Sequence, residues 1–377
     1  MSRVMDKPED FTKLGVNPDR IEAWEDGRRD TSGPGHAEIW YLDCHFDDGS
    51  TLVLGFRPKA VDQVDKDGDN PNVAINYNHP DGSLFWDYRL YDTSQVEIST
   101  ERCDLKFGPS TLTGDWKTYD IHIEPEPDKK VVMEGKSSTK HASSVDLHFE
   151  AQVEPFRPGT GYISFGADDT YYYNFICITK LTVTGQIAID GESKQVTGSA
   201  YYNHQWFNIS PINGFHHWLW GRQNVGSYNV MIYDMVAAER LGLDQVTLFT
   251  VDDQQGNRVF ENTSAKGMDI TVLDSYVQEQ TGKRYPQTVQ YTFDKDDTHI
   301  EYTISEPKEI NVINIYGDAP AAARSKFDQI RMRPTYTRYL AQAKLAITRD
   351  GRSESITGPI LYEFNYAGVE NPDAHLF

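Results

Sequence analysis

The chain has 377 residues, 38% of them hydrophobic and 25% charged, with a formal net charge of −21. At roughly 100–200 residues per domain this length predicts two domains, each large enough to bury a core without disulfide or metal staples. The acidic balance argues against nucleic acid and anionic membrane surfaces as partners, and says little about a neutral ligand in an internal cavity.

Aromatic residues make up 12% of the chain, with 22 Tyr, 17 Phe and 7 Trp, which favours pleated, half-buried strands. Met1–Phe11 is polar and mixed in charge, unlike a signal peptide, and no run approaches the ~18 apolar residues of a membrane-spanning helix. The expectation is a cytoplasmic chain with no stable membrane insertion. Cys44, Cys103 and Cys177 are odd in number and far apart, so neither a disulfide framework nor a zinc site is expected.

In chain order, residues 1–35 are turn-rich and polar and read as an N-terminal arm. Ala37–Phe46, an Asp-Asp-Gly-Ser turn and Thr51–Phe56 then read as a hairpin. Val73–Asn78 and Ser83–Leu90 repeat it around His79-Pro-Asp-Gly82. Thr118–Glu124 and Ser144–Val153 alternate polar with apolar residues, and Glu124–Lys130 is a solvated loop. Asn174–Ile189, Gln195–Tyr202, Phe215–Arg222, Tyr228–Val236, Gln245–Val251 and Asn257–Phe260 follow as strands. His299–Ile304, Ile310–Tyr316, Tyr336–Ile347 and Ser355–Tyr366 complete them, and only Ala319–Ile330 reads as a helix. Many short strands with regular turns predict an all-β chain of barrels or sandwiches. The aromatic hairpins near Trp40 and Trp218 are loosely alike, as in an old duplication. The expected division is an arm over 1–35, a first barrel over 36–203 and a second over 204–377.

The densest chemistry lies in Gly198–Trp220. Strand alternation puts Tyr202, His204 and Trp206 on one face, and His216, Trp218 and Trp220 on another with His217 opposite. Imidazole and indole on one face suit an apolar cavity with one titratable group; a packed aromatic core with satisfied histidines is the plainer account of them. In Glu38–Asp43, Glu38 and Trp40 face one way and Tyr41 and Asp43 the other, so either one face meets solvent or a carboxylate is buried and paired. Tyr233-Asp234 offers an aspartate that burial would turn into an acid near neutral pH, or one that simply faces solvent. Tyr362-Glu363 in the last strand reads as structural. His204, His216 and His217 lack zinc spacing, and the chain has no Gly-x-Ser-x-Gly, P-loop or dinucleotide fingerprint.

These motifs resemble the carotenoid 1,2-hydratase (hydroxyneurosporene synthase) family and the related AttH-type proteins. The resemblance rests on Glu38-Ile-Trp-Tyr-Leu-Asp43 with its Asp48-Gly-Ser50 turn, and on Gly198-Ser-Ala-Tyr-Tyr-Asn-His-Gln-Trp206. Trp24-Glu-Asp-Gly-Arg28, His217-Trp-Leu-Trp220 and Gly358-Pro-Ile-Leu-Tyr-Glu363 extend it over residues 24–366. It implies two tandem lipocalin-like antiparallel β-barrels that need no cofactor and take a hydrophobic small molecule. It also implies catalytic roles for His204 and Trp206, joined by Tyr233 and Asp234. Glu38, Trp40, Tyr41, Tyr202, His217, Trp218 and Trp220 are the expected substrate-binding residues. Relatives include hydratases that add water to an isolated alkene, isoflavonoid hydratases and cyclases of the Diels–Alder type. Asn203 stands where many relatives carry Asp, which removes one carboxylate. Three readings follow: an alkene hydratase or dehydratase, a cofactor-free cyclase or isomerase, and a lipid- or terpenoid-binding protein without turnover.

Overall fold

The computed structural model describes residues 2–60, 63–128, 131–133, 136–138, 142–264 and 267–374. The chain divides into two compact units. The N-terminal unit comprises Met5–Tyr162 and Tyr172–Ser210; the C-terminal unit runs from Pro211 onward, with Ile163–Tyr171 and the first few residues.

In the N-terminal unit the main strands are β1 (Ala37–Phe46), β2 (Thr51–Arg57), β3 (Asn72–Asn78), β4 (Leu84–Leu90), β5 (Val96–Ile98) and β6 (Asp104–Phe107). They continue as β7 (Ser110–Gly114), β8 (Thr118–Ile123), β9 (Ser144–Ala151), β10 (Tyr171–Ile189) and β11 (Glu192–Phe207). Their spatial order is β4-β3-β2-β1-β11-β10-β9-β8-β7-β6-β5. The C-terminal unit carries β12 (Phe215–Val225), β13 (Tyr228–Ala237), β14 (Gln245–Asp253), β15 (Arg258–Asn262) and β16 (Met268–Val277). After these come β17 (Arg284–Lys295), β18 (Thr298–Ile313), β19 (Met332–Arg349) and β20 (Arg352–Gly368), in the order β15-β14-β13-β12-β20-β19-β18-β17-β16.

In each unit the first strand pairs antiparallel with the last, β1 with β11 and β12 with β20. Each path is interrupted at the same place, between its fourth and fifth strands. That cyclic, up-and-down order makes the fold all-β, two lipocalin-like antiparallel barrels in tandem. Alternation along the strands turns Trp40, Leu42, Cys44 and Phe46 into the N-terminal core, where they meet Tyr202, Trp206, Tyr119 and Ile176. A second core gathers Leu219, Phe249, Phe293, Tyr302 and Phe364. Burying each such side chain stabilises its unit by roughly 1.5–3 kcal/mol.

Most expected strands appear at or within a few residues of their expected bounds. Two expected strands, His299–Ile304 and Ile310–Tyr316, are one: β18 runs through irregular pairing at Ser305/Lys308 and Glu309/Asn311 and stops at Ile313. β16 and β17 were not legible. β16 ends the sheet path with Leu273 and Val277 exposed beside Asp269, Thr271 and Asp274 and with its register shifted around Asp274, so its alternation is broken, and Pro286 interrupts the β-pattern of β17. The expected helix is Ala321–Gln329, preceded by a short one at Ile315–Asp318. Within residues 1–35, read as an arm, lie a helix over Pro8–Leu14 and a 3-10 turn over Ala23–Asp26 with Glu25 and Asp26 buried. The Glu124–Lys130 loop ends in two residues that lie outside the described ones. Among the described residues no helix is long and apolar enough to cross a membrane, and the three cysteines are buried free thiols.

Candidate active site

Three adjacent strands set the site by register. Across β1, β11 and β10, Glu38 stands opposite Trp206, which stands opposite Asn174; one step on, Trp40, His204 and Ile176 align, then Leu42, Tyr202 and Ile178. Residues directly opposite in a sheet share a face, so Glu38, Trp40, Tyr202, His204 and Trp206 all point into the N-terminal core.

His204 is fully buried. Its Nε2 lies 2.8 Å from Glu38 Oε1, and its Nδ1 lies 3.1 Å from the Glu25 carbonyl and 3.5 Å from Asp26 Oδ1. Both ring nitrogens therefore face oxygen atoms. Trp40 stacks on the imidazole at 4.4 Å with a 15° tilt, and Trp206 leans over it at 4.7 Å. Glu38 also accepts the backbone N–H groups of Arg29 at 2.8 Å and Asp30 at 3.2 Å. Three donors on one carboxylate compensate its removal from water.

Asp26 completes the cluster. Tyr119 donates to Oδ2 at 2.7 Å and Tyr202 donates to Oδ1 at 2.5 Å. Burial pushes its pKa up to about 6; His204 and the two phenols pull it down, and Glu38 adds to the rise. The phenols of Tyr119 and Tyr202 and the Cys103 thiol beside them are pushed well above their ordinary values, first by burial and then by the Asp26 charge. The result is a dry cluster in which the Asp26 carboxyl changes protonation at about pH 6 while the two phenols and the thiol stay protonated.

Local sequence delivers Asp26 to this position. The Glu22–Glu25 pair forms a capping box, Glu22 N–H donating to Glu25 Oε1 at 2.8 Å, and this starts the 3-10 turn. Arg157 Nη1 lies 2.8 Å from both Glu25 oxygens, and its Nη2 donates to the Asn17 carbonyl at 2.6 Å. Trp40 Nε1–H donates to the Asp26 carbonyl at 3.0 Å. Gly27 passes so near the β5–β6 connection that a Cβ there would lie 2.5 Å from the Thr100 carbonyl carbon. Asp26 was absent from the expected site, although Trp24–Arg28 carries the family-like signal; Trp206 Nε1–H donates to the Tyr162 hydroxyl at 3.1 Å, another residue the sequence did not single out.

One more expected residue lies in this unit. Tyr41 is on the opposite face of β1, paired with Asn203 and edge-on to Tyr201 at 6.4 Å. Asn203 donates to the Tyr201 hydroxyl at 3.0 Å and so also points away from His204. The other expected residues belong to the C-terminal unit. There Asp234 faces that unit's interior, accepting from Gln245 at 2.8 Å, Thr247 at 2.7 Å and Tyr291 at 3.2 Å. His217 stacks on Phe364 at 5.6 Å, and its Nδ1 lies 2.9 Å from that of His216, whose Nε2–H donates to the Val369 carbonyl at 2.7 Å. Trp218, Trp220 and Tyr233 are buried on the other face of these strands, Trp220 directly opposite Tyr233. Among the described residues no group of three or more His, Cys, Asp or Glu side chains could hold a metal ion.

The AttH-like family model matches residues 91–316. Solved structures of the same fold include a protein assigned as AttH from Nitrosomonas europaea, 16% identical over 88% of this chain and 93% of that one, with a TM-score of 0.54. CghA solved with Sch210972 is 11% identical over 93% of this chain and 95% of that one, at 0.55. Kievitone hydratase from Nectria haematococca is 10% identical over 89% and 91%, at 0.49. No curated protein matches the chain by sequence. At these identities the likeness to the first two is one of fold.

Proposed function

The chain belongs to the AttH-like family, and from that premise we propose that it is a cytoplasmic, cofactor-independent hydratase or dehydratase acting on an alkene of a hydrophobic terpenoid, carotenoid or prenylated molecule. The observation that carries this reading is Asp26, a fully buried carboxyl with a pKa raised to about 6, beside an imidazole framed by two indoles. Hydrating an unactivated double bond begins with protonation, which needs a poised acid. In this reading the acid is Asp26, through or beside His204, rather than Asp234, whose carboxylate already collects three donors.

The proton adds to one alkene carbon, and the π pair forms the new C–H bond. The cation left on the other carbon is stabilised by the faces of Trp206 and Trp40, each contributing ~0.5–2 kcal/mol. Water oxygen attacks the cation, and its proton returns to the Asp26–His204 assembly, which ends as it began. Glu38 holds the imidazole by its Nε2 and keeps the ring aligned. Dehydration is the same path in reverse.

The test is incubation with prenylated, terpenoid and polyene alkenes, read by mass spectrometry. The expected product carries the mass of one added water, and Asp26→Asn and His204→Ala abolish it. Full turnover by either variant sinks the assignment. A product of unchanged mass points instead to the cyclase or isomerase, and a ligand retained unchanged points to a binding protein.

A further inference from the structure

One buried polar group beside this cluster is left without a hydrogen-bond partner. Asn174 on β10 is fully buried, and neither its Nδ2 nor its Oδ1 has a hydrogen-bond partner. Among the described residues it is the one side-chain amide with both ends in that condition. Asn262, by contrast, donates to two carbonyls, those of Thr247 at 2.9 Å and Ser264 at 2.6 Å. A buried amide without partners is disfavoured against a leucine of similar size, so its presence calls for a partner that the folded chain does not supply.

Its direction is set by register. Asn174 stands opposite Trp206, and the next residues on its face, Ile176 and Ile178, stand opposite His204 and Tyr202 in the N-terminal core. Gly161 closes in from the side: a Cβ there would come within 2.9 Å of Asn174 Nδ2. The neighbouring Tyr162 takes the Trp206 Nε1–H, so that indole does not serve the amide. The carboxamide therefore adjoins the Trp206 end of the site, with its backbone roughly 7–8 Å from that of His204 on the diagonal.

We infer that Asn174 is a specificity-determining residue that binds a hydroxyl group of the substrate. A carboxamide presents one acceptor and one donor side by side, and a hydroxyl answers both, donating to Oδ1 while accepting from Nδ2. A hydroxyl held there leaves carbons several bonds away to reach the Trp206 ring at the edge of the site. The substrate class narrows to an alkene that already bears an alcohol or phenol. This inference rests on the hydratase reading for its use of the site, and its test is independent of turnover.

The probes are geraniol and 2,6-dimethylocta-2,6-diene, which share a prenyl skeleton and differ in the hydroxyl, with binding read from tryptophan fluorescence. Wild-type protein is expected to bind the alcohol more tightly by on the order of tenfold or more. Asn174→Leu brings that ratio to about one and raises the ligand-free melting temperature by roughly 2–4 °C, because it removes the unpaired amide. A wild-type ratio of one, no binding of either probe, a ratio unchanged by the substitution, or a lowered melting temperature each overturns the inference. The last is the result expected if Asn174 only holds a structural water. Turnover of alkenes together with a wild-type ratio of one leaves the hydratase reading standing and removes this one; a large ratio with no hydrated product does the reverse.

Discussion

In the N-terminal unit Asp26 is buried among other ionisable groups: His204 on one side, Glu38 beyond it, and two phenols donating to its oxygens. In the C-terminal unit Asp234 is also buried, and it accepts from the neutral side chains of Gln245, Thr247 and Tyr291. Both aspartates face the interior of a barrel of the same strand order. The two carboxyls thus share burial and differ in the partners they meet. The charge of Asp26 is coupled to an imidazole and a second carboxylate in the same dry space.

The comparison breaks most visibly if the N-terminal cluster is not electrostatically coupled. His204→Leu leaves Glu38 and Asp26 buried without the ring between them and is expected to cost about 3–5 kcal/mol in denaturant unfolding. Adding Glu38→Leu to it should recover part of that loss, since the stranded carboxylate goes too. Simple additivity of the two would mean that no coupling exists.

Next in size is a dependence on pH. Folded Asp26 binds its proton up to about pH 6, whereas the ordinary value is 3.8, so the folded chain holds more protons between those limits. Its contribution to stability is therefore greatest at low pH and falls by about 3 kcal/mol as pH rises from ~4 to ~6. Subtracting an Asp26→Asn titration from the wild-type one should isolate that slope; a flat difference refutes the burial account of this residue.

Smaller effects sharpen the contrast. Tyr119→Phe removes a donor that favours the Asp26 carboxylate, so the midpoint should move above about 6, at a cost of about 1 kcal/mol. A site-resolved carbon-13 titration of the aspartate carboxyl would read it, and a midpoint that moved down would exclude the phenol as donor. Thr247→Val in the C-terminal unit should also cost about 1 kcal/mol and leave the Asp26 midpoint in place.

The strands were legible because alternation is a local property. Ala37–Phe46 is the strand expected from its aromatic pattern, and Tyr202, His204 and Trp206 share the face that period two assigns them. The same rule put Glu38 with Trp40 and separated both from Tyr41, and the register keeps that separation. Asp26 was not legible as an acid. It lies on a short 3-10 turn in a polar, turn-rich segment where no periodicity assigns a face, and Arg157, 132 positions away, pins that turn through Glu25. Asn174 read as one residue of a long strand, since nothing nearby marks a carboxamide as unpaired.

The amino-acid order alone thus determined which residues form strands, which side chains share a face, and that imidazole and indole lie together on one of them. Tertiary structure decided what that face meets: Glu38 reaches His204 across 166 positions and Tyr202 reaches Asp26 across 176. Side-chain direction follows from neighbouring backbone angles, so sequence carries it. Partnership between distant carboxyl, phenol and ring depends on which strands close the sheet and on the water they expel, and that is settled only when the whole unit packs.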